Sequence, residues 1–307
     1  MKNKNTQSNK ITMKRSNVPA LVLLAIALLV APCFTGVFAQ TKAASFQKGY
    51  APVNGLKMYY EIHGQGEPLV LLHGAYMTIE GPIRDMAKYF AGKNRQVIAV
   101  ELQGHGRTAD IDRPITTGGM ADDVAALLKH LKIKQADVLG YSMGGGAALQ
   151  LAVSHPEVIR KLVVVSAVYN NSGMYPELLK LIPTLTPEMF EGSPWKTIYD
   201  SIAPNPKDFP KLMAKLKKLD ELGSTIQAEQ LKAFKAPVLI VIGDADATKP
   251  EHAVEMLRLF GGGVMGDLAG VPKARLAVLP GTTHVGAMGR PEWLNPMVEV
   301  FLDEKIQ

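Results

Sequence analysis

The run Val138-Leu139-Gly140-Tyr141-Ser142-Met143-Gly144-Gly145-Gly146 leaves the backbone few options. Ala136 to Leu139 reads as a short apolar strand and Ala147 to Ser154 as a helix-forming run, with Ser142 between glycines at the junction. A chain that passes from strand to helix over so few residues must turn sharply. Glycine tolerates strained dihedrals and close backbone approach at the least cost. G-x-S-x-G in this setting is the pattern of a nucleophile elbow, a turn that lifts a serine hydroxyl above the end of a sheet. Ser142 is therefore a candidate nucleophile, and the rest of the chain must supply its partners.

The chain has 307 residues, enough for one large α/β domain or two small ones. Apolar, β-branched runs alternate with helical patterns, which predicts a mostly parallel sheet flanked by helices. Met58 to Ile62 alternates like an early, half-exposed strand. Pro68 to Leu72, Gln96 to Val100, Ala136 to Leu139, Leu162 to Val165, Val238 to Ile242 and Leu276 to Leu279 read as buried strands. Ala121 to Leu131, Glu251 to Phe260 and Pro291 to Leu302 carry apolar residues at helical spacing. From 170 to 235 no strong strand occurs. Repeated prolines and amphipathic stretches such as Leu212 to Leu222 predict a helical insertion there, too long to be a loop.

The charge is concentrated at one end. Lys2, Lys4, Lys10, Lys14 and Arg15 supply five of the six net positive charges, and residues 1–40 contain no acid. The nearly neutral remainder gives no reason to propose nucleic acid or an acidic membrane as partner. The basic stretch leads into an apolar run from Val18 to Val30, then Pro32, Gly36 and the small-residue site Val37-Phe38-Ala39. That order predicts a secretory signal peptide over 1–39 and an exported protein, periplasmic or secreted. An uncleaved membrane anchor is the alternative, and lipidation at Cys33 a third. Cys33 is the only cysteine. The mature chain then has no disulfide, thiol nucleophile or cysteine metal site.

A serine nucleophile needs a base, and the base needs a group to orient it. Gly243-Asp244-Ala245-Asp246 follows the run Val238 to Ile242, and Pro280-Gly281-Thr282-Thr283-His284 follows Leu276 to Leu279. Both tails lie where strand ends converge with Ser142, in the chain order Ser, Asp, His. Asp244 and Asp246 compete for the acid, since either could instead cap the helix near Lys249-Pro250-Glu251. Of the other histidines, His63 and His130 read as surface positions, His155 ends a helix, and His252 begins one without a partner motif. His73 and His105 lie in turns, where structural roles are expected. No histidine pair has metal-ligand spacing, so no metal is expected. Gly261-Gly262-Gly263-Val264-Met265-Gly266 is a literal G-x-G-x-x-G, but it follows a helix and runs into Pro272. It reads as a loop, and no nicotinamide or flavin cofactor is expected.

From Gly49 to Phe301 the chain resembles the α/β-hydrolase superfamily. Leu72-His73-Gly74 is similar to its oxyanion loop. Glu101 to Thr108 resembles its D-x-x-G-x-G-x-S segment, with Glu101 and Thr108 as departures, and Gly140 to Gly144 is similar to its elbow. The resemblance implies the α/β-hydrolase fold, with core segments at 40–169 and 236–307 and a cap at 170–235. It implies Ser142 as nucleophile, His284 as base and Asp246 as orienting acid, because the spacing from Gly243 favours Asp246 over Asp244. Ser166 to Asn171, after the preceding strand, offers no carboxylate in their place. Backbone N–H groups of Met143 and Ala75 are the expected oxyanion donors, with Tyr76 as the alternative to Ala75. A serine at the elbow argues against the carboxylate-nucleophile members, and the absence of H-G-G-P against proline iminopeptidases. The implied activity is cofactor-free hydrolysis of a small-to-medium apolar carboxylic ester or lactone through an acyl-enzyme. Carbon–carbon bond hydrolases and perhydrolases share the triad, and a non-catalytic receptor could share the fold. Met174, Tyr175, Leu178, Leu181, Ile182, Leu185, Met189, Phe190 and Trp195 are candidate pocket residues in the cap.

Overall fold

The computed structural model describes residues 46–224 and 226–305, so residues 1–39, expected to be a signal peptide, and Cys33 lie outside the described residues. The described chain opens with β1 (Gln47–Val53) and β2 (Leu56–His63), joined at Asn54 and Gly55 with φ of 47° and 86°. Asn-Gly suits such a two-residue hairpin because both central residues need positive φ. There follow β3 (Glu67–Leu72), α1 (Pro82–Ala91), β4 (Arg95–Val100), α2 (Thr117–His130), β5 (Ala136–Tyr141), α3 (Met143–Ser154) and β6 (Ile159–Val165).

Between β6 and β7 (Val238–Ala245) the described residues form short 3-10 turns and the helices α4 (Pro176–Leu181), α5 (Pro194–Ile202), α6 (Phe209–Leu222) and α7 (Ala228–Ala233). The chain closes with α8 (Pro250–Leu259), α9 (Gly266–Ala269), β8 (Ala274–Thr283) and α10 (Pro291–Asp303).

The strands form one sheet in the order β1-β2-β4-β3-β5-β6-β7-β8. β2 runs antiparallel to β1 and β4, and the pairs from β4 to β8 are parallel. Val70, Leu72 and Val138 pack toward α2, α3 and α8, while Leu69, Leu71 and Leu139 pack toward α1 and α10. Helices on both faces explain why these strands read as continuous apolar runs. β3 lies between β4 and β5, so the connections leaving β3 and β5 diverge at their carboxyl ends. That divergence opens a crevice at the top of the sheet, the usual ligand position in such sheets.

Two elements fall outside the sequence expectations. β1 is an edge strand containing Gly49 and Pro52, with only Ala51 and Val53 fully buried. α1 is a ten-residue helix that starts at Pro82. β2 is also more buried than its alternation suggested, because it has a neighbour on each side. Glu61 and His63 are buried in it, with Glu61 held by Arg84 at 2.9 Å and by His63 at 2.9 Å. His63 is thus no surface residue. The glycine run from Gly261 leaves the end of α8 with φ of 87° at Gly261 and 74° at Gly263, so it follows a helix and not a strand.

Candidate active site

The elbow is built by contact distances. Ser142 sits between β5 and α3 at φ 53° and ψ −118°, and its N–H donates to the Val165 carbonyl at 2.9 Å. The strain is borne by the serine itself, since Gly140, Gly144 and Gly145 all have negative φ. Those glycines are needed for space. A Cβ on Gly140 would lie 2.2 Å from the Gly144 oxygen, one on Gly144 2.5 Å from the Leu72 oxygen, and one on Gly145 2.5 Å from Ala167 Cβ. The turn therefore seats α3 directly against β5, the end of β3 and the segment after β6.

Residues far apart in the chain meet at this turn. Ser142 Oγ lies 2.9 Å from His284 Nε2, and His284 Nδ1 lies 2.8 Å from Asp246 Oδ1. The carboxylate accepts from Nδ1–H, which leaves Nε2 as the acceptor for the serine proton. Asp246 is buried and fully hydrogen-bonded. Oδ1 also accepts from Thr248 N–H at 3.1 Å, and Oδ2 accepts from Gly243 N–H at 3.1 Å and Ser166 Oγ at 2.5 Å. Burial pushes its pKa up, but the hydrogen bond and charge of His284, with the Ser166 and Thr248 bonds, outweigh it and hold the pKa below the usual range. Tyr141 OH donates to the His284 carbonyl at 3.0 Å and so fixes the backbone that carries the base.

Asp244 stands elsewhere. It is exposed, accepts from Thr282 N–H at 3.0 Å, and ties the ends of β7 and β8 together. Neither aspartate caps α8, whose N-cap Lys249 makes no side-chain capping hydrogen bond. His252 does have partners: it is buried, accepts from Tyr169 N–H at 3.3 Å, and lies 3.4 Å from Glu255. Ser166 is the site residue that sequence reasoning missed. Its only signal was its place directly after β6, where a carboxylate was sought and not found.

The loop after β3 is held by two buried histidines. His73 Nδ1–H donates to the Gly74 carbonyl at 2.8 Å and Nε2 accepts from Leu102 N–H at 3.1 Å. His105 Nδ1–H donates to the Gln103 carbonyl at 2.9 Å and Nε2 accepts from Tyr76 N–H at 3.3 Å. Burial pushes His73 down to about 3 and His105 to about 4, so both are neutral at physiological pH. With the Tyr76 N–H committed to His105, the Ala75 N–H is the one left without a hydrogen bond among the described residues. Met143 N–H belongs to the first turn of α3, where an N–H has no intrahelical acceptor. Ala75, Met143, Ser142 and His284 all line one cavity.

Glu101 and Thr108 serve the scaffold beside this loop. Thr108 Oγ1 donates to the Glu101 carbonyl at 2.6 Å and accepts from Tyr59 N–H at 2.8 Å. The Glu101 carboxylate accepts from the Arg107 guanidinium at 2.8 Å.

The cavity measures about 250 Å³ and lies between the sheet top and the helices inserted after β6. Met174, Leu178, Ile182 and Leu185 line it, whereas Tyr175, Leu181 and Met189 face solvent. Phe190 packs on Tyr76 at 4.7 Å and on Trp195 at 6.5 Å between ring centroids. Leu216, Leu219 and Asp220 of α6 complete the wall. Among the described residues, no group of three His, Cys, Asp or Glu side chains is placed to hold a metal ion. No helix among them is long and apolar enough to cross a membrane.

A family model described as the alpha/beta hydrolase fold matches residues 67–194, a stretch that contains the β3 loop and the elbow but ends before Asp246 and His284. Serine hydrolase BPHL of Mus musculus is 26% identical over 264 residues, covering 81% of this chain and 84% of that protein. 2-Hydroxymuconate semialdehyde hydrolase of Pseudomonas sp. strain CF600 is 34% identical over 116 residues, covering 37% of this chain and 41% of that protein. The solved structure of Est816, described as an N-acyl homoserine lactone degrading enzyme, matches with a TM-score of 0.62 and 25% identity, covering 83% of this chain and 100% of that one.

Proposed function

Because the chain belongs to the α/β-hydrolase superfamily, we propose that it is a serine hydrolase cleaving small-to-medium apolar carboxylic esters or lactones through an acyl-enzyme on Ser142. The observation that carries this reading is the unbroken hydrogen-bond chain from Ser142 Oγ through His284 to Asp246. In it, His284 Nε2 takes the serine proton as Oγ attacks the ester carbonyl. Asp246 holds the ring and stabilises the imidazolium that forms. The N–H groups of Met143 and Ala75 receive the developing oxyanion. His284 then gives its proton to the leaving alcohol, and later activates the water that frees Ser142.

The apolar wall of Met174, Leu178, Ile182 and Leu185 supports an apolar acyl or alcohol group, and the cavity volume of about 250 Å³ limits its size. The likeness to a lactone-degrading enzyme supports including lactones. We also propose that residues 1–39 direct export, which N-terminal sequencing of the protein recovered outside the cytoplasm tests. A chain-length panel of p-nitrophenyl esters tests the activity, together with fluorophosphonate labelling mapped to Ser142. Short- and medium-chain esters should be turned over by the wild type and not by Ser142→Ala. Equal rates in the two proteins would sink the proposal.

A further inference from the structure

One carboxylate in the cavity plays no part in the proton relay. Asp220, in the last turn of α6, lines the same wall as Leu216 and Leu219 and shares the cavity with Ser142 and His284. Among the described residues, no donor or cation reaches its carboxylate; its backbone carbonyl alone is engaged, by Asn171 Nδ2 at 3.1 Å. The lysines of its helix are committed elsewhere. Lys215 lies 2.8 Å from Asp110, Lys217 donates to the Pro183 carbonyl at 3.0 Å, and Lys218 pairs with Glu221 at 2.9 Å. Among the described residues, no Lys or Arg lines the cavity.

Burial pushes Asp220 up to about 6, so it is still largely ionised above neutral pH. Burial and then the Asp220 charge push Tyr76 up to about 12, and the Tyr76 hydroxyl has no hydrogen-bond partner among the described residues either. A carboxylate against an apolar wall keeps its charge at a cost, unless something that enters the cavity compensates it. A cation on the substrate would do so. A second carboxylate would add repulsion, and among the described lining residues no Lys or Arg is present to relieve it.

We propose that Asp220 is a specificity-determining residue that selects esters carrying a cationic nitrogen and disfavours those carrying a free carboxylate. The inference rests on the serine hydrolase reading above. It narrows that reading from apolar esters to apolar esters with one positive charge, placed to reach α6 while the ester carbonyl lies at Ser142.

The test compares matched substrates at pH 7.5. On the acyl side these are the p-nitrophenyl esters of 6-aminohexanoate (cationic), heptanoate (neutral) and adipate (anionic). On the alcohol side they are butyrylthiocholine and its neutral isostere, 3,3-dimethylbutyl thiobutyrate. A hydrogen bond or ion pair to a buried charged group predicts a preference of about ten- to hundredfold in kcat/KM for the cationic member of at least one pair. The anionic ester should be slowest. In Asp220→Asn the cationic-to-neutral ratio should fall to near one. Equal kcat/KM within both pairs overturns the assignment and leaves the esterase reading standing. A preference that persists in Asp220→Asn also overturns it. The wild type alone decides the first comparison, so a poorly folding variant does not remove the test. No turnover of any ester, with no fluorophosphonate label on Ser142, overturns the hydrolase reading and this inference with it.

Discussion

The Ser166 hydroxyl donates to Asp246 Oδ2 at 2.5 Å, on the side of the carboxylate away from the Oδ1 that faces His284. Ser166 itself sits at φ 52°, and its N–H is bonded to the Val241 carbonyl at 2.8 Å, so the hydroxyl is aimed by the ends of β6 and β7. In the proposed reaction it acts through Asp246, as a positioning residue. Ser166→Ala should lower kcat about tenfold, the scale of one lost hydrogen bond to a charged group, with KM little changed. Steady-state kinetics on the best chain-length ester decide it. A rise in KM at constant kcat would instead place Ser166 in substrate binding.

The two aspartates after β7 should separate cleanly. Asp246→Asn removes the acceptor that fixes the His284 tautomer and should reduce kcat by about 10³–10⁴-fold. Asp244→Asn touches only an exposed bond to Thr282 N–H. Its kcat/KM should stay within about threefold of wild type, as for most surface substitutions. Comparable losses in the two variants would contradict the assignment of the acid.

Gly144 and Gly146 lie in the same helix and predict opposite outcomes. A Cβ at Gly144 meets the Leu72 and His73 carbonyl oxygens at 2.5 and 2.6 Å, both backbone atoms that cannot move without displacing β3. Gly144→Ala should cost about 2–4 kcal/mol of stability. A Cβ at Gly146 meets only Thr117 Cγ2 at 3.4 Å. Gly146→Ala should be neutral or stabilising by up to about 1 kcal/mol, from helix propensity. Urea unfolding midpoints of the two variants check both signs.

The buried histidines predict acid sensitivity. His73 and His105 have folded pKa values pushed down to about 3 and about 4 from an ordinary 6.5. Above 6.5 neither the folded nor the unfolded chain binds these protons. As pH falls below 6.5 the unfolded chain takes them up first, so stability is lost from there down to the folded values. Linkage gives a loss of about 2 kcal/mol per histidine at pH 5 relative to pH 7.5. His105→Asn should be destabilised at pH 7.5 but lose about 2 kcal/mol less than wild type between pH 7.5 and 5. Parallel pH–stability curves for the two proteins would show that His105 is not held neutral by the fold.

The residues read as strands from Pro68 to Leu279 are strands in the structure, because helices on both faces demand runs of apolar side chains that composition displays directly. β1 escaped because a short edge strand with Gly49 and Pro52 buries too few side chains to show a period, whereas α1 carries the helical spacing Ile83, Met86, Ala87 and Phe90 and is legible on that pattern. In the cap, Leu178 and Leu181 looked alike in the chain, yet one lines the cavity and the other is 51% exposed. Three residues apart, the two are neighbours on the helix surface, so the helical period does not separate them; the helix's docking, set by residues far away in sequence, does.

Taken alone, the sequence determined whatever a few neighbouring residues encode: the strand–serine–helix turn, the chain order of Ser142, Asp246 and His284, and the glycines that let backbones touch. Tertiary structure decided the rest. It brought Asp246, not Asp244, to 2.8 Å from His284, and committed the Tyr76 N–H to His105, leaving the Ala75 N–H without an acceptor among the described residues. It also set Ser166 behind Asp246 and placed Asp220 in the cavity wall, where no donor among the described residues reaches its carboxylate. The reason is physical. Those outcomes depend on distances between segments separated by 29 to 80 residues along the chain, which packing of the sheet and cap creates and no local pattern records.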